Sequence, residues 1–145
     1  MLFRSHFSDP TLAALDSADR ILLVTQLEVS ALRSAQRSLG VFARLGYPAD
    51  KVILVVNRRS DRDRISIADA ERVLARPIEF RLPNDYAACS DAIMHGQFVQ
   101  RQAPSSPMVS AVAAMAGLLT GSSNGSQAIA ERSRLSRLFS RKSPK

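Results

Sequence analysis

At 145 residues, with 46% hydrophobic and 23% charged side chains, the chain has the composition of one globular domain, able to bury roughly two-thirds of the surface its unfolded form exposes. The single cysteine, Cys89, excludes an internal disulfide and a cysteine-built zinc site; with no signal peptide and no apolar run of about 18 residues, the sequence reads as cytoplasmic. The net charge of +7 is gathered at the end, where Arg132, Arg134, Arg137, Arg141, Lys142 and Lys145 stand against Glu131, so the basic balance says little about any ligand of the nearly neutral body.

Met1 to His6 carries no pattern. Ser8 suits the cap of a short helix, with Asp9 and Pro10 in its first turn and Leu12 and Leu15 on one face. Arg20 to Thr25 is an unbroken apolar strand. Ser30 then caps a helix to about Leu45, with Leu32, Ala35, Leu39, Phe42 and Ala43 at helical spacing. Gly46 stands where a left-handed terminating residue belongs, and Pro48 prevents resumption. The next strand, Lys51 to Asn57, organises the chain: Val52 to Val56 has no polar alternation, which predicts a central parallel strand covered on both faces. It ends in Asn57, Arg58 and Arg59, and in open α/β sheets ligands sit outside the carboxyl ends of strands.

The βαβ unit then repeats. A polar loop, Arg58 to Arg64, leads to a helix capped by Ser66, with Ile67, Ala70, Val73 and Leu74 as its buried stripe and Pro77 as its end. Ile78 to Leu82 forms a shorter third strand. Pro83-Asn84-Asp85 turns into a helix to about His95, with Asn84 as its cap and Gly96 as its stop. Ser106-Pro107 opens a last helix to Thr120, whose Met108 and Met115 face reads as ordinary core. The expectation is an α/β fold, three-layered, with about three parallel strands and flanking helices. From Gly121 to Gln127 the composition is that of a flexible linker, followed by a basic tail, 128–145.

Four motifs in order carry a resemblance: Asp19 to Glu28 (Asp-Arg-Ile-Leu-Leu-Val-Thr-Gln-Leu-Glu), Val55-Val56-Asn57-Arg58, Leu82-Pro83-Asn84-Asp85, and Ala92-Ile93-Met94-His95-Gly96. Together they resemble the C-terminal half of a ParA/MinD-type P-loop ATPase, closest to the CpaE/TadZ-like group of Flp (tight adherence) pilus assembly, over roughly 8–120. The resemblance implies a partial P-loop NTPase or Rossmann-like fold. It also implies ATP as the intact family's cofactor and an adenine-binding set of Asn57, Arg58, Pro83, Asn84 and Asp85. An Asn amide offers one donor and one acceptor to the edge of adenine. Met94 stands where the family often has Asn, and Phe98 where it often has Pro.

The family's phosphate chemistry uses a Gly-rich loop with Lys, and magnesium held by the hydroxyl that follows. None of the six glycines here belongs to such a loop. The expectation is therefore a truncated, non-catalytic protein that binds ATP weakly or not at all alone, acting in pilus assembly or localisation through protein contacts. The alternative is an ATP-binding positioning or partition protein completed by a separate phosphate-loop half, with membrane or non-specific DNA association. In the family the Arg20 to Thr25 strand pairs with the strand leading into the phosphate loop. Its absence predicts an open apolar edge, and hence self-association or docking to another assembly protein.

Bland readings stand beside these. Asn57 can bond its own turn backbone, Arg58 and Arg59 can simply be solvated, and Asn84 can be no more than a cap. His6 and His95 are too far apart in sequence to suggest a metal site, and Cys89 reads as packed. Arg33, Arg37 and Arg44 read as a solvated helix face rather than a DNA contact. In the tail, Leu135, Leu138 and Phe139 among arginines resemble the short membrane-targeting helix of MinD-like proteins, which implies contact with an anionic bilayer at the inner face of the plasma membrane. A basic tail without fixed structure fits the same residues.

Overall fold

The computed structural model describes residues 9–121. Their order is α1 (Asp9–Ser17), β1 (Ile21–Thr25), α2 (Val29–Arg44), β2 (Val52–Arg59), α3 (Ile67–Leu74), β3 (Phe80–Pro83), α4 (Tyr86–Met94), α5 (Val99–Gln102) and α6 (Pro107–Leu119), with a single 3-10 turn at Ala49–Lys51. The three strands form one open sheet in the order β1-β2-β3. β1 and β2 are parallel, with Ile21 opposite Val52 and Thr25 opposite Val56. β3 keeps the same direction, since Glu79 N–H reaches Leu54 O at 3.1 Å and Asn84 N–H reaches Arg59 O at 2.9 Å. The strand expected to be central is central. Two compact units share this chain: residues up to Val56 with Arg62–Glu79, and Asn57–Asp61 with Phe80 onward.

In the first unit, strand alternation divides the sheet's faces. Leu54 and Val56 pack with Leu32 and Ala35 of α2 and with Ala70 and Leu74 of α3. Ile21 and Val52 meet Phe42, with Leu15 of α1 and Tyr47 alongside. Val55, on the opposite face of β2, is also buried, but Leu22 and Val24 of the edge strand are 39% and 54% exposed. Ala43, expected in the stripe of α2, is exposed.

Helix ends follow local chemistry. The N-cap of α2 lies two residues before the expected Ser30, at Glu28, which makes no side-chain capping bond. Gly46 closes it at φ +79°. Its N–H donates to Ala43 O and that of Tyr47 to Phe42 O, both at 3.1 Å, the paired bonds of a Schellman ending. Ser66 caps α3, accepting from Asp69 N–H at 3.1 Å. Pro77 does not end α3; Ala75 does, in a left-handed conformation at φ 52°, with Arg76 N–H on Glu71 O at 3.2 Å. Val73 lies off the buried stripe and is exposed, because Ala70 and Leu74 centre that face and carry it toward Ile78.

β3 starts at Phe80, later than the sequence suggests, and side chains take over where it is missing. Glu79 Oε2 accepts Leu54 N–H at 2.8 Å, and Arg76 Nη2 donates to Val52 O at 2.8 Å. The edge groups of β2 below β3 are thereby satisfied, as buried backbone polar groups must be.

In the second unit α6 packs on β3 and α4 on α5. Gly96, at φ +60°, ends α4 as expected, with Gln97 N–H on Ala92 O at 2.9 Å. α6 starts at Ser106-Pro107 as read from the sequence, but its Met108 and Met115 face is only half-buried and no residue of the helix is fully buried. The tail, including the expected linker beyond Gly121, lies outside the described residues, as does Ser8.

Candidate functional site

The carboxyl ends of β2 and β3 bring two of the four sequence motifs together. β2 does not stop at Asn57 but runs to Arg59, because Arg59 O is still paired with Asn84 N–H. Arg58 bends the strand here with φ 57°, a left-handed conformation that costs a residue with a Cβ about 1–2 kcal/mol. Asn57 is half-buried and its Oδ1 accepts Arg58 N–H at 2.9 Å. The local turn bond weighed in the sequence thus exists. It leaves the Nδ2 donors of Asn57 and a second lone pair on Oδ1 for a ligand edge. Arg58 and Arg59 are exposed; Arg59 pairs with Asp61 at 2.6 Å, a surface contact of small energy.

Across the strand boundary, Pro83 is half-buried and Asn84 exposed. Asn84 is not the cap of α4. Its N–H is held in the sheet, so the helix begins one residue later and Asp85 caps it, with Oδ1 accepting Ala88 N–H at 3.2 Å. The other oxygen of Asp85 accepts the Ser106 hydroxyl at 2.6 Å, and Ser106 Oγ accepts Met108 N–H at 3.2 Å at the start of α6. Asp85 therefore acts on the frame of the site: both its oxygens hold helix N-termini. Sequence reasoning did not find this clasp, although Asp three residues before Ala88 and the Ser106-Pro107 pair were its separate signals.

Cys89 is half-buried. His95 Nδ1 lies 2.8 Å from Asp91 O and 3.3 Å from its Oδ1, on the exposed side of α4. Among the described residues, no three His, Cys, Asp or Glu side chains gather as a metal set. Among them, too, no helix is long and apolar enough to cross a membrane. Leu135, Leu138 and Phe139, the expected membrane-contact residues, lie outside the described part.

An open parallel sheet with side chains collected at the carboxyl ends of adjacent strands is the layout in which α/β proteins hold ligands. The particular fold is that of the ParA/MinD-type ATPases. The chain is similar to a ParA family ATPase from Chlorobium tepidum TLS, with 26% identity and TM-score 0.69 over 73% of this chain and 44% of that one. It is similar also to the septum site-determining protein MinD complexed with Mg-ADP from Pyrococcus horikoshii OT3, at 25% identity and TM-score 0.60, covering 77% of this chain and 46% of that one. The cell division ATPase MinD of Pyrococcus furiosus matches at 30% identity and TM-score 0.56, over 70% of this chain and 42% of that one. The chain thus spans less than half of each of these proteins. No protein-family model and no curated protein sequence matches it.

Proposed function

We propose that this chain is the base-recognising side of a ParA/MinD-type nucleotide switch, working without catalysis as a CpaE/TadZ-like factor in Flp pilus assembly or localisation through protein contacts. The observation that carries the reading is the shared fold with ParA and MinD proteins, with Asn57 and the Pro83 to Asp85 turn joined at the strand ends by the Asn84–Arg59 hydrogen bond. No Gly-Lys-Ser/Thr loop occurs in the 145 residues, so phosphate chemistry needs residues supplied from elsewhere. The CpaE/TadZ assignment is supported by the four motifs in register. Deleting the gene and counting surface pili tests it: loss of pili, restored by the wild-type copy, is expected, and unchanged piliation refutes the pilus role.

A second reading is favoured by one observation, the exposed Leu22 and Val24 on edge strand β1. An apolar edge of this kind fits a strand from a phosphate-binding half, which would make the complete assembly an ATP-binding positioning protein. One of the similar MinD proteins is a complex with Mg-ADP. Titration with a fluorescent ATP analogue separates the readings. Binding that appears only with an added Gly-Lys-Thr half, and weakens about tenfold in Asn57→Ala, supports the second. Absence of binding in that mixture leaves the first.

A further inference from the structure

The last turn of α4 and the start of α5 carry the three most exposed large apolar side chains among the described residues: Ile93 at 77%, Met94 at 81% and Phe98 at 83%. Their backbone is held in place. Gly96 N–H donates to Ile93 O at 3.1 Å and Gln97 N–H to Ala92 O at 2.9 Å, while Gln102 Nε2 donates to Asp91 Oδ2 at 2.7 Å and ties α5 to α4. Beside them lies a groove of about 440 Å³, walled by Met108, Val109, Val112 and Ala116 of α6, with Phe98 and Val99 opposite. From Pro107 to Leu119 α6 has no charged residue, none of its residues is fully buried, and Val112 is 41% exposed. A helix apolar all round is normally covered on more than one side, and an exposed apolar patch rimmed by polar residues marks a contact surface.

We infer that this face pairs two copies of the chain about a two-fold axis, the Phe98 ring of each copy entering the α5–α6 groove of the other and lying against its Val112. Complementarity selects a second copy as the occupant. One unit carries both the projecting side chains and the groove that receives them, and an isologous contact fills both grooves with the same residues. Because Phe98 borders the groove itself, an axis passing beside it brings each ring over the facing groove. Ile93, Met94, Phe98 and all of α6 bring no charge to the centre, so none has to be desolvated there. Gln97, Gln100 and Arg101, all exposed, supply the polar rim such interfaces have. The area agrees. An aromatic side chain covers roughly 150–250 Å², so Phe98 with Ile93, Met94 and the groove walls offers on the order of 500–600 Å² per copy. The pair then buries about 1,000–1,200 Å², the size of a weak, transient interface. The face shares no residue with the edge strand β1.

The test is sedimentation velocity of the full chain over roughly ten to five hundred micromolar, the range of a transient contact, with Val24→Lys in every sample to suppress pairing through β1. A monomer–dimer equilibrium is expected to remain. Phe98→Asp and Val112→Lys, each with unchanged circular dichroism, should each weaken it about tenfold or more, the loss typical of a central contact residue. Mixed in equal amounts, the two variants should recover the dimer. One Phe98–Val112 contact is then native, and at the other the carboxylate introduced in one chain meets the ammonium introduced in its partner. Dimerisation unchanged in Phe98→Asp overturns the inference. So does a mixture no more associated than its components, which places Phe98 and Val112 apart across the contact. A chain that stays monomeric throughout overturns it as well: capture by phosphatidylglycerol vesicles then gives the face to a bilayer, and no capture leaves it to another part of the same chain.

Discussion

Asp85 Oδ2 accepts the hydroxyl of Ser106 at 2.6 Å while Asp85 Oδ1 caps α4. One half-buried carboxylate thereby organises the first turns of two helices, each of which starts with backbone N–H groups that have no partner inside the helix. Charge strengthens such bonds at helix N-termini. Ser106→Ala is expected to lose about 1–2 kcal/mol, and Asp85→Ala more, since it leaves both Ala88 N–H and the buried Ser106 hydroxyl without their acceptor. The double variant should fall short of the sum by at least about 0.5 kcal/mol. Urea unfolding of the four proteins measures this; strict additivity would show that the two residues act apart.

Glu79 stands in for a strand residue. Its N–H and its carboxylate take both backbone groups of Leu54, at 3.1 and 2.8 Å. Glu79→Ala strips the acceptor from a buried amide, for an expected loss of about 1–3 kcal/mol, while Glu79→Gln, which keeps an oxygen, should lose less. Hydrogen exchange at the Leu54 amide is the sensitive readout. Exchange no faster in Glu79→Ala than in the wild type would mean that another group protects it.

What the sequence made legible was what local physics dictates. Val52 to Val56 reads as a central strand because unbroken apolarity has few other uses, and Gly46 and Gly96 sit at helix ends because a left-handed φ suits glycine best. The terminator Ala75 was hidden, since nothing in an alanine announces φ 52°; the nearby Pro77 was the louder signal. Asn84 and Asp85 are equally good caps by type, and only the sheet bond from Asn84 N–H to Arg59 O, a long-range pairing, decides between them. The partial burial of α6 was illegible for a related reason: periodicity shows which residues are apolar, not what lies over them. Of the candidate site, Asn57 and the Pro83 to Asp85 turn were readable as positions. The role of Asp85 in the frame was not.

Asp69 gives the stability a defined acid dependence. The Ser66 hydroxyl, bonded at 2.6 Å, and then the nearby Arg72 guanidinium hold its pKa below the ordinary value of 3.8. A lowered folded pKa favours the ionised carboxylate in the native state. The contribution is therefore complete above about pH 3.8 and disappears as pH falls through the lower folded value. In Asp69→Asn the unfolding midpoint in urea should depend less steeply on pH below about 3.8. Identical acid limbs in the two proteins would remove this carboxylate from the account.

The edge strand predicts association. Among the described residues β1 is an edge strand of the sheet, with Val24 54% exposed, and an edge strand is a template for pairing with another strand. Sedimentation of the purified chain at tens of micromolar, roughly the range in which exposed edges associate, should show species heavier than the monomer. Val24→Lys puts a charge on the apolar face and should shift the distribution toward monomer. A monomeric wild type at these concentrations would dissociate the edge from any self-contact.

Arg58 is the place where the candidate site stores strain. It holds φ 57° in a strand that continues for one more residue and is pinned by Arg59 O to Asn84 N–H. A side chain with a Cβ pays about 1–2 kcal/mol there that glycine does not. Arg58→Gly should therefore raise stability by up to about 1 kcal/mol, the gain reduced by the greater freedom glycine gives the unfolded chain. Arg58→Pro should act in the opposite sense: φ near −65° is incompatible with the bend, and the N–H that donates to Asn57 Oδ1 is lost. A loss of about 3 kcal/mol or more is expected. The pair of variants separates the two functions of this position. If the bend aims Asn57 at an adenine edge, Arg58→Gly keeps nucleotide binding in the completed assembly although its guanidinium is gone. A Gly variant that is stable but no longer binds would instead make the Arg58 side chain itself a ligand contact.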